Sequence, residues 1–233
     1  MDKNNTFITG SDGMLGSGLK EIFGFKENIK YFTRHDFDFT DRENILQFFS
    51  LFKNNDILIH CACFTNVNGS ELKENRKVLN SINVDALKII SEECNKKKIR
   101  IIYPQTFLIL DENISLHDDQ SRNYAPLGAY SRSKLKAEKI LTTNVESNLL
   151  KIIRFGGFYG GGREIDKNFV GLFLNKILPN AKKDNLKSIE IGNRVWQPTW
   201  TRDAANAIKL ILNESGNYFQ YCCNDKTSFS NLS

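Results

Sequence analysis

Near its start the chain turns from strand to helix within a few residues. Thr6-Phe-Ile-Thr9 reads as a short apolar strand, Gly10, Gly13 and Gly16 follow it directly, and residues 14–23 are patterned as a helix. A strand that turns at once into a helix must fold the helix back onto a sheet, which sets the next strand parallel to the first. The chain repeats this unit. Apolar runs at 29–32, 57–63, 100–103 and 149–154 alternate with helical patterns at 45–52, at 82–94 and around Tyr130 and Lys134. Ile57-Leu-Ile-His-Cys-Ala-Cys63 is apolar enough to be covered on both faces. The expected fold is therefore α/β, a doubly wound parallel sheet of the Rossmann type with a small C-terminal substrate-binding region. Residues 1–155 are read as the Rossmann-like domain. Beyond them Gly156, Gly157 and Gly160 to Gly162 mark irregular backbone. A helix over 168–178 is expected to end at Pro179. Residues 156–233 are read as a smaller substrate-side region with segments returning to the first domain.

Composition excludes several classes. The chain has 233 residues, 40% hydrophobic and 25% charged, ordinary for a soluble globular protein. No apolar run reaches the roughly 20 residues of a membrane span, and no secretory segment precedes the first strand. Cys61, Cys63, Cys94, Cys222 and Cys223 are odd in number and lack Cys-x-x-Cys spacing, so a reduced, cytoplasmic setting is expected. His35, His60 and His117 have no metal-ligand spacing. A net charge of +5 suits an anionic small molecule and is too small to imply nucleic acid.

The glycines give the first functional expectation. Placed between strand and helix, Gly10, Gly13 and Gly16 permit a tight turn and close approach of backbone to a pyrophosphate at the helix N-terminus. The cofactor expected is NADP or NAD. Arg34, just past the second strand, favours the 2′-phosphate of NADP, and Asp38 is placed to accept from the adenine amino group. Tyr130 and Lys134 are four residues apart and share a helix face. An ammonium beside the phenol is expected to lower its pKa from about 10 towards the range useful for proton transfer.

Taken in order, Thr9-Gly-Ser-Asp-Gly-Met-Leu-Gly16, Phe37-Asp-Phe-Thr-Asp41, His60-Cys-Ala-Cys-Phe-Thr-Asn-Val67 and Tyr130-Ser-Arg-Ser-Lys-Leu135 resemble the extended short-chain dehydrogenase/reductases, and within them the dTDP-4-dehydrorhamnose reductases. Ala137-Glu138, Lys167-Asn-Phe-Val170, Gln197-Pro-Thr199 and Asp203 extend the likeness along nearly the whole chain. The resemblance implies an NAD(P)H-dependent reductase of a nucleotide-linked 4-keto-6-deoxysugar, with Tyr130 as proton donor and Lys134 holding the nicotinamide ribose. It implies a cofactor site that includes Met14, Leu15, Phe39, Cys61, Ala62, Cys63 and Asn83. Substrate contacts are implied at Arg154, Arg163 and Trp196, with Arg194 a further candidate. A homodimer is left open.

Two departures stand out. Where the family places a Ser or Thr at the end of the fourth strand, this chain has Gln105; a one-residue shift would supply Thr106. Family members also continue several dozen residues beyond the match to 227–233, implying a shortened substrate region. An epimerase or dehydratase of nucleotide sugars, or a non-catalytic dinucleotide-binding or regulatory protein of the same fold, remain alternatives.

Overall fold

The computed structural model describes residues 4–162, 164–186, 188–189, 195–223 and 227–228. In chain order its elements are β1 (Thr6–Thr9), α1 (Met14–Phe23), β2 (Ile29–Phe32), α2 (Arg42–Ser50), β3 (Ile57–His60), α3 (Arg76–Asn80), α4 (Ala86–Lys96), β4 (Arg100–Thr106), α5 (Ala129–Asn144), β5 (Leu150–Phe155), β6 (Phe158–Tyr159), α6 (Phe169–Leu172), α7 (Leu178–Lys183), β7 (Val195–Trp196), β8 (Thr199–Trp200), α8 (Thr201–Ile211), β9 (Tyr218–Tyr221) and β10 (Thr227–Ser228). Single π turns, Ser81–Asp85 and Phe173–Ile177, join α3 to α4 and α6 to α7.

Six strands form one sheet in the order β2-β1-β3-β4-β5-β9, and every neighbouring pair is parallel. The strand order reverses between β1 and β3, which opens a crevice at their carboxyl ends. The period of two along each strand builds both cores. Phe7, Leu58, Ile101 and Ile152 face α2, α4 and α5, where they meet Phe48, Leu87, Ile90 and Leu141. Their neighbours Ile8, Ile59, Ile102 and Ile153 face α1 and α8, packing on Leu15, Leu19, Ala204 and Ile208. Phenylalanine dominates the first core: the Phe7 ring lies 3.8 Å from that of Phe52, and Phe48 meets Phe32, Phe37, Phe39, Phe49 and Phe52.

Two features differ from the sequence reading. Pro179 does not end a helix. It lies in the first turn of α7, immediately after the π turn, with helical backbone on both sides. The edge strand β9 goes beyond the expected elements, because Tyr218-Phe-Gln-Tyr221 is half-buried and follows a long change of texture. It pairs with β5, while α8 packs against α1, so the chain beyond 200 returns to the main sheet. No described helix is long and apolar enough to cross a membrane.

His60, at the end of β3, is a core residue. Its Nδ1 lies 3.0 Å from Thr9 Oγ1, and burial, then the Lys134 ammonium, push the imidazole down to about 3. In the unfolded chain the ring takes a proton near pH 6.5, while the folded form resists it. The contribution is full above that pH and is lost as pH falls from 6.5 towards 3, at about 1.4 kcal/mol per unit. His60→Asn keeps an acceptor for Thr9 and cannot titrate. It is expected to flatten the decline of thermal midpoint between pH 6.5 and 4. An unchanged slope would acquit His60.

Candidate active site

The glycine loop sits in the crevice between β1 and β3. Gly10 has φ +64°, and a Cβ there would stand 2.8 Å from Ala62 N, so the loop lies directly on the chain leaving β3. At Gly16 a Cβ would come within 2.3 Å of Gly10 O. The N-cap of α1 is Gly13, with neither a side-chain cap nor an acidic residue in the first turn. Its first N–H groups are thus left for an anion. Ser11 Oγ is buried in the same loop and has no hydrogen-bond partner among the described residues. An orphaned hydroxyl, open helix amides and a backbone too close for side chains fit a pyrophosphate. Met14 is half-buried here, but the Leu15 side chain points into the core, leaving only its backbone to the loop. Past β2, Arg34 and Asp38 are exposed, and Asp38 Oδ1 accepts from Thr40 N and Oγ1, both at 2.8 Å. Phe39 is a correction. It is buried edge-on against Phe48 and His60 and offers no side chain to a ligand.

Helix α5 delivers Tyr130 and Lys134 to the other side of the crevice. Its N-terminus is pinned by the short turn Gly69–Glu71: Ala129 N donates to Glu71 Oε1 at 2.5 Å and Tyr130 N to Ser70 Oγ at 3.1 Å. A carboxylate suits that end of the helix dipole. Lys134, buried, donates from Nζ to Tyr103 OH at 2.7 Å and to Pro104 O at 2.9 Å. The third ammonium hydrogen has no partner among the described residues. Burial lowers the lysine, opposed by the nearby Cys63, Cys61 and Glu138.

The pairing expected of Tyr130 and Lys134 is corrected by this arrangement. Tyr103, rising from β4 beneath α5, takes the ammonium. Burial first, then Cys63, push the Tyr130 phenol well above its ordinary value.

Asn83 lies on the π turn before α4, a local irregularity common at functional sites. Its amide is fully used within the protein, on Phe64 N at 2.8 Å, Phe64 O at 3.2 Å, Ser133 Oγ at 3.0 Å and Cys63 Sγ at 3.2 Å. It ties the chain after β3 to α5. Ala62 N donates to Thr9 Oγ1, and Cys61 is half-buried with its thiol pushed up to about 12 by burial.

Two expected contacts lie in the wrong place for substrate. Gln105 is buried, its Nε2 donating to Glu138 Oε2 at 2.9 Å and to Lys134 O at 3.0 Å. Arg154 is 1% exposed and pairs with Glu138 Oε1 at 3.1 Å, with a further bond to Ser121 O at 2.8 Å. Strand parity explains both: Gln105 follows Ile101 and Tyr103, and Arg154 follows Ile152, on the face covered by α5. Thr106, on the opposite parity, accepts from Leu108 N at 3.3 Å and caps the turn after β4. Trp196 is half-buried over Gly157, where a Cβ would meet its ring at 2.6 Å. Arg163 and Arg194 lie outside the described residues.

Tyr103, Glu138, Ser133 and Ser11 are not among the site residues expected from sequence. A carboxylate four residues after Lys134, on an otherwise buried helix face, is the one available signal. No group of three His, Cys, Asp or Glu able to hold a metal occurs among the described residues.

The sequence model of the family described as RmlD substrate binding domain matches residues 4–229. A dTDP-4-keto-6-deoxy-D-glucose reductase of Streptomyces niveus is 26% identical over 208 residues, covering 88% of this chain and 67% of its own. The chain spans about two thirds of the length of such curated relatives. The fold is shared with a dTDP-4-dehydrorhamnose reductase of Bacillus anthracis solved in complex with NADP, at TM-score 0.80 and 21% identity over 99% of this chain and 79% of that one. It is shared too with a UDP-glucose 4-epimerase of Thermus thermophilus in complex with NAD, at TM-score 0.77 and 17% identity over 98% and 80%.

Proposed function

We propose that this chain, which belongs to the RmlD substrate binding domain family, is a nicotinamide-dinucleotide-dependent reductase of a nucleotide-linked sugar ketone, a 4-keto-6-deoxysugar being the favoured substrate. One observation carries the reading: the glycine cradle after β1, Cys61 to Cys63 after β3 and Tyr130 with Lys134 on α5 converge on one crevice at the carboxyl ends of the strands. The relatives named above as reductases of this sugar class support it.

The bound dinucleotide would supply hydride to the ketone carbon. The backbone from Gly10 to Gly16 and Ser11 Oγ would hold its pyrophosphate, and the open third N–H of Lys134 its nicotinamide ribose. Arg34 favours NADP over NAD. Tyr130 would hand its hydroxyl proton to the ketone oxygen as charge develops there. With Gln105 turned inward, the hydroxyl left at the end of β4 is that of Thr106, which accepts from Leu108 N. The Gly157–Trp196 contact region belongs to the substrate side, residues 156–233.

The test is oxidation of NADPH or NADH by the protein with a panel of nucleotide 4-keto-6-deoxysugars, followed at the nicotinamide absorbance. Turnover of at least one, faster with NADPH, is expected. Binding of dinucleotide with no turnover across the panel would instead support a non-catalytic dinucleotide-binding protein, a second reading favoured by the inward turn of Gln105.

A further inference from the structure

The first turn of α5 is capped from outside the helix. Its N-cap, Gly128, has no side chain to offer, and a Cβ there would stand 3.0 Å from Glu71 Oε1. The amides of Ala129 and Tyr130, orphaned at the start of the helix, are met by residues 58 and 60 positions earlier in the chain. Ala129 N donates to Glu71 Oε1 at 2.5 Å and Tyr130 N to Ser70 Oγ at 3.1 Å. Ser70 is buried and gives its hydroxyl proton to Val67 O at 2.6 Å, so towards Tyr130 its oxygen can only accept. The other Glu71 oxygen is held by Arg76 Nη2 at 3.1 Å, which leaves Oε1 aimed at the helix.

The turn that carries these caps is itself braced. Gly69 N donates to Asn66 Oδ1 at 2.8 Å, Asn75 Nδ2 to Gly69 O at 2.8 Å and Ser70 N to Asn66 O at 2.9 Å. Asn83 clamps Phe64 through both its N–H and its carbonyl. One turn further on, α5 is held by different groups: Asn83 Nδ2 donates to Ser133 Oγ, Gln105 Nε2 to Lys134 O and Lys134 Nζ to Pro104 O. Ser133 passes its own proton to Tyr130 O at 2.7 Å within the helix, so the Tyr130 amide is the end that depends on the turn.

We propose that Ser70 and Glu71 are positioning residues for Tyr130. They fix the first turn of α5, and with it the direction of the Tyr130 hydroxyl, while β4 sets the Lys134 ammonium independently. This rests on Tyr130 being the proton donor. Both side chains act through backbone amides of the helix and take no part in the proton transfer. Because the two anchors are separate, loosening the first should damage the chemical step and spare dinucleotide binding.

Glu71 is 50% and Arg76 43% exposed, so Glu71→Ala strands no buried charge. It should speed hydrogen exchange at the Ala129 amide by roughly tenfold, the loss of one charge-assisted bond, while Lys134 and Leu135 keep their protection. The ring resonances of Tyr130, isolated by subtracting the spectrum of Tyr130→Phe, should shift. Glu71→Gln keeps an acceptor oxygen and should bring them back towards the parent, whereas Ser70→Ala strands the Tyr130 amide and should shift them too. In turnover, Glu71→Ala should lower kcat by about tenfold or more, the scale of a displacement of about 1 Å, with the Kd for NADPH nearly unchanged. Unmoved Tyr130 resonances in both Glu71→Ala and Ser70→Ala overturn the proposal, as does an unchanged kcat. Loss of protection along the whole of α5 with a parallel rise in Kd overturns it as well, since the cap would then serve only to fold the helix. Exchange and ring resonances are read on the protein alone, so an inactive panel would count against the proposed reaction and leave the positioning role decided.

Discussion

Glu138→Ala is expected to lower unfolding free energy by about 3–5 kcal/mol, read as a fall in denaturant midpoint. The carboxylate is 2% exposed. One oxygen takes Arg154 at 3.1 Å and Tyr124 OH at 2.5 Å; the other takes Gln105 Nε2 at 2.9 Å. Truncation leaves the Arg154 guanidinium in a buried site, where its remaining partners are Ser121 O, Tyr124 OH and the rings of Tyr124 and Tyr218. A lone buried charge is the expensive outcome; the pair itself is less decisive. Replacing both partners, Glu138→Leu with Arg154→Met, should therefore cost less than Glu138→Ala alone. A loss below about 1 kcal/mol in the single variant, the range of exposed ion pairs, would show that water reaches the guanidinium.

This network also shows where sequence reasoning stops. The alternation of Phe7 with Ile8, Leu58 with Ile59, Ile101 with Ile102 and Ile152 with Ile153 is local, so the doubly covered sheet could be read directly. So could the glycine loop, because the backbone needs of a strand-to-helix turn fall on neighbouring residues. Gln105 and Arg154, expected at the substrate, share the parity of Tyr103 and Ile152 and so face α5 instead. Their partner was invisible: Glu138 reaches them only after α5 has crossed β4 and β5, a contact no short-range spacing encodes. Lys134 makes the same point. Its spacing from Tyr130 fixes a shared helix face, but the direction of its ammonium is decided by Tyr103, thirty-one residues away in sequence. Phe39 misled for the opposite reason. The Phe37-Asp-Phe run places two rings around Asp38, and packing on Phe48, rather than motif position, decides where they go.

Tyr130→Phe and Lys134→Met should fail in different ways. Losing a positioned proton donor costs about 10²–10⁴ in kcat, and phenylalanine keeps the ring that fills the crevice wall. Tyr130→Phe should thus bind NADPH with a Kd within a few-fold of the parent while turnover of any accepted sugar nucleotide collapses. Lys134 does two things at once. Its ammonium satisfies Tyr103 OH and Pro104 O in a buried place, and its third hydrogen faces no partner among the described residues. Methionine removes all three donors, so Lys134→Met should weaken dinucleotide binding by about tenfold or more, the loss of one charge-assisted hydrogen bond. It should also lower stability by about 1–3 kcal/mol through the stranded acceptors. Fluorescence titration with NADPH separates the two variants before any substrate is known. Equal Kd for parent and Lys134→Met would mean the ammonium is purely internal, tied to Tyr103 and the strand end. Turnover by Tyr130→Phe within about threefold of the parent would remove the hydroxyl from the proton-transfer step, because a donor that supplies even 10² in rate cannot be deleted so cheaply.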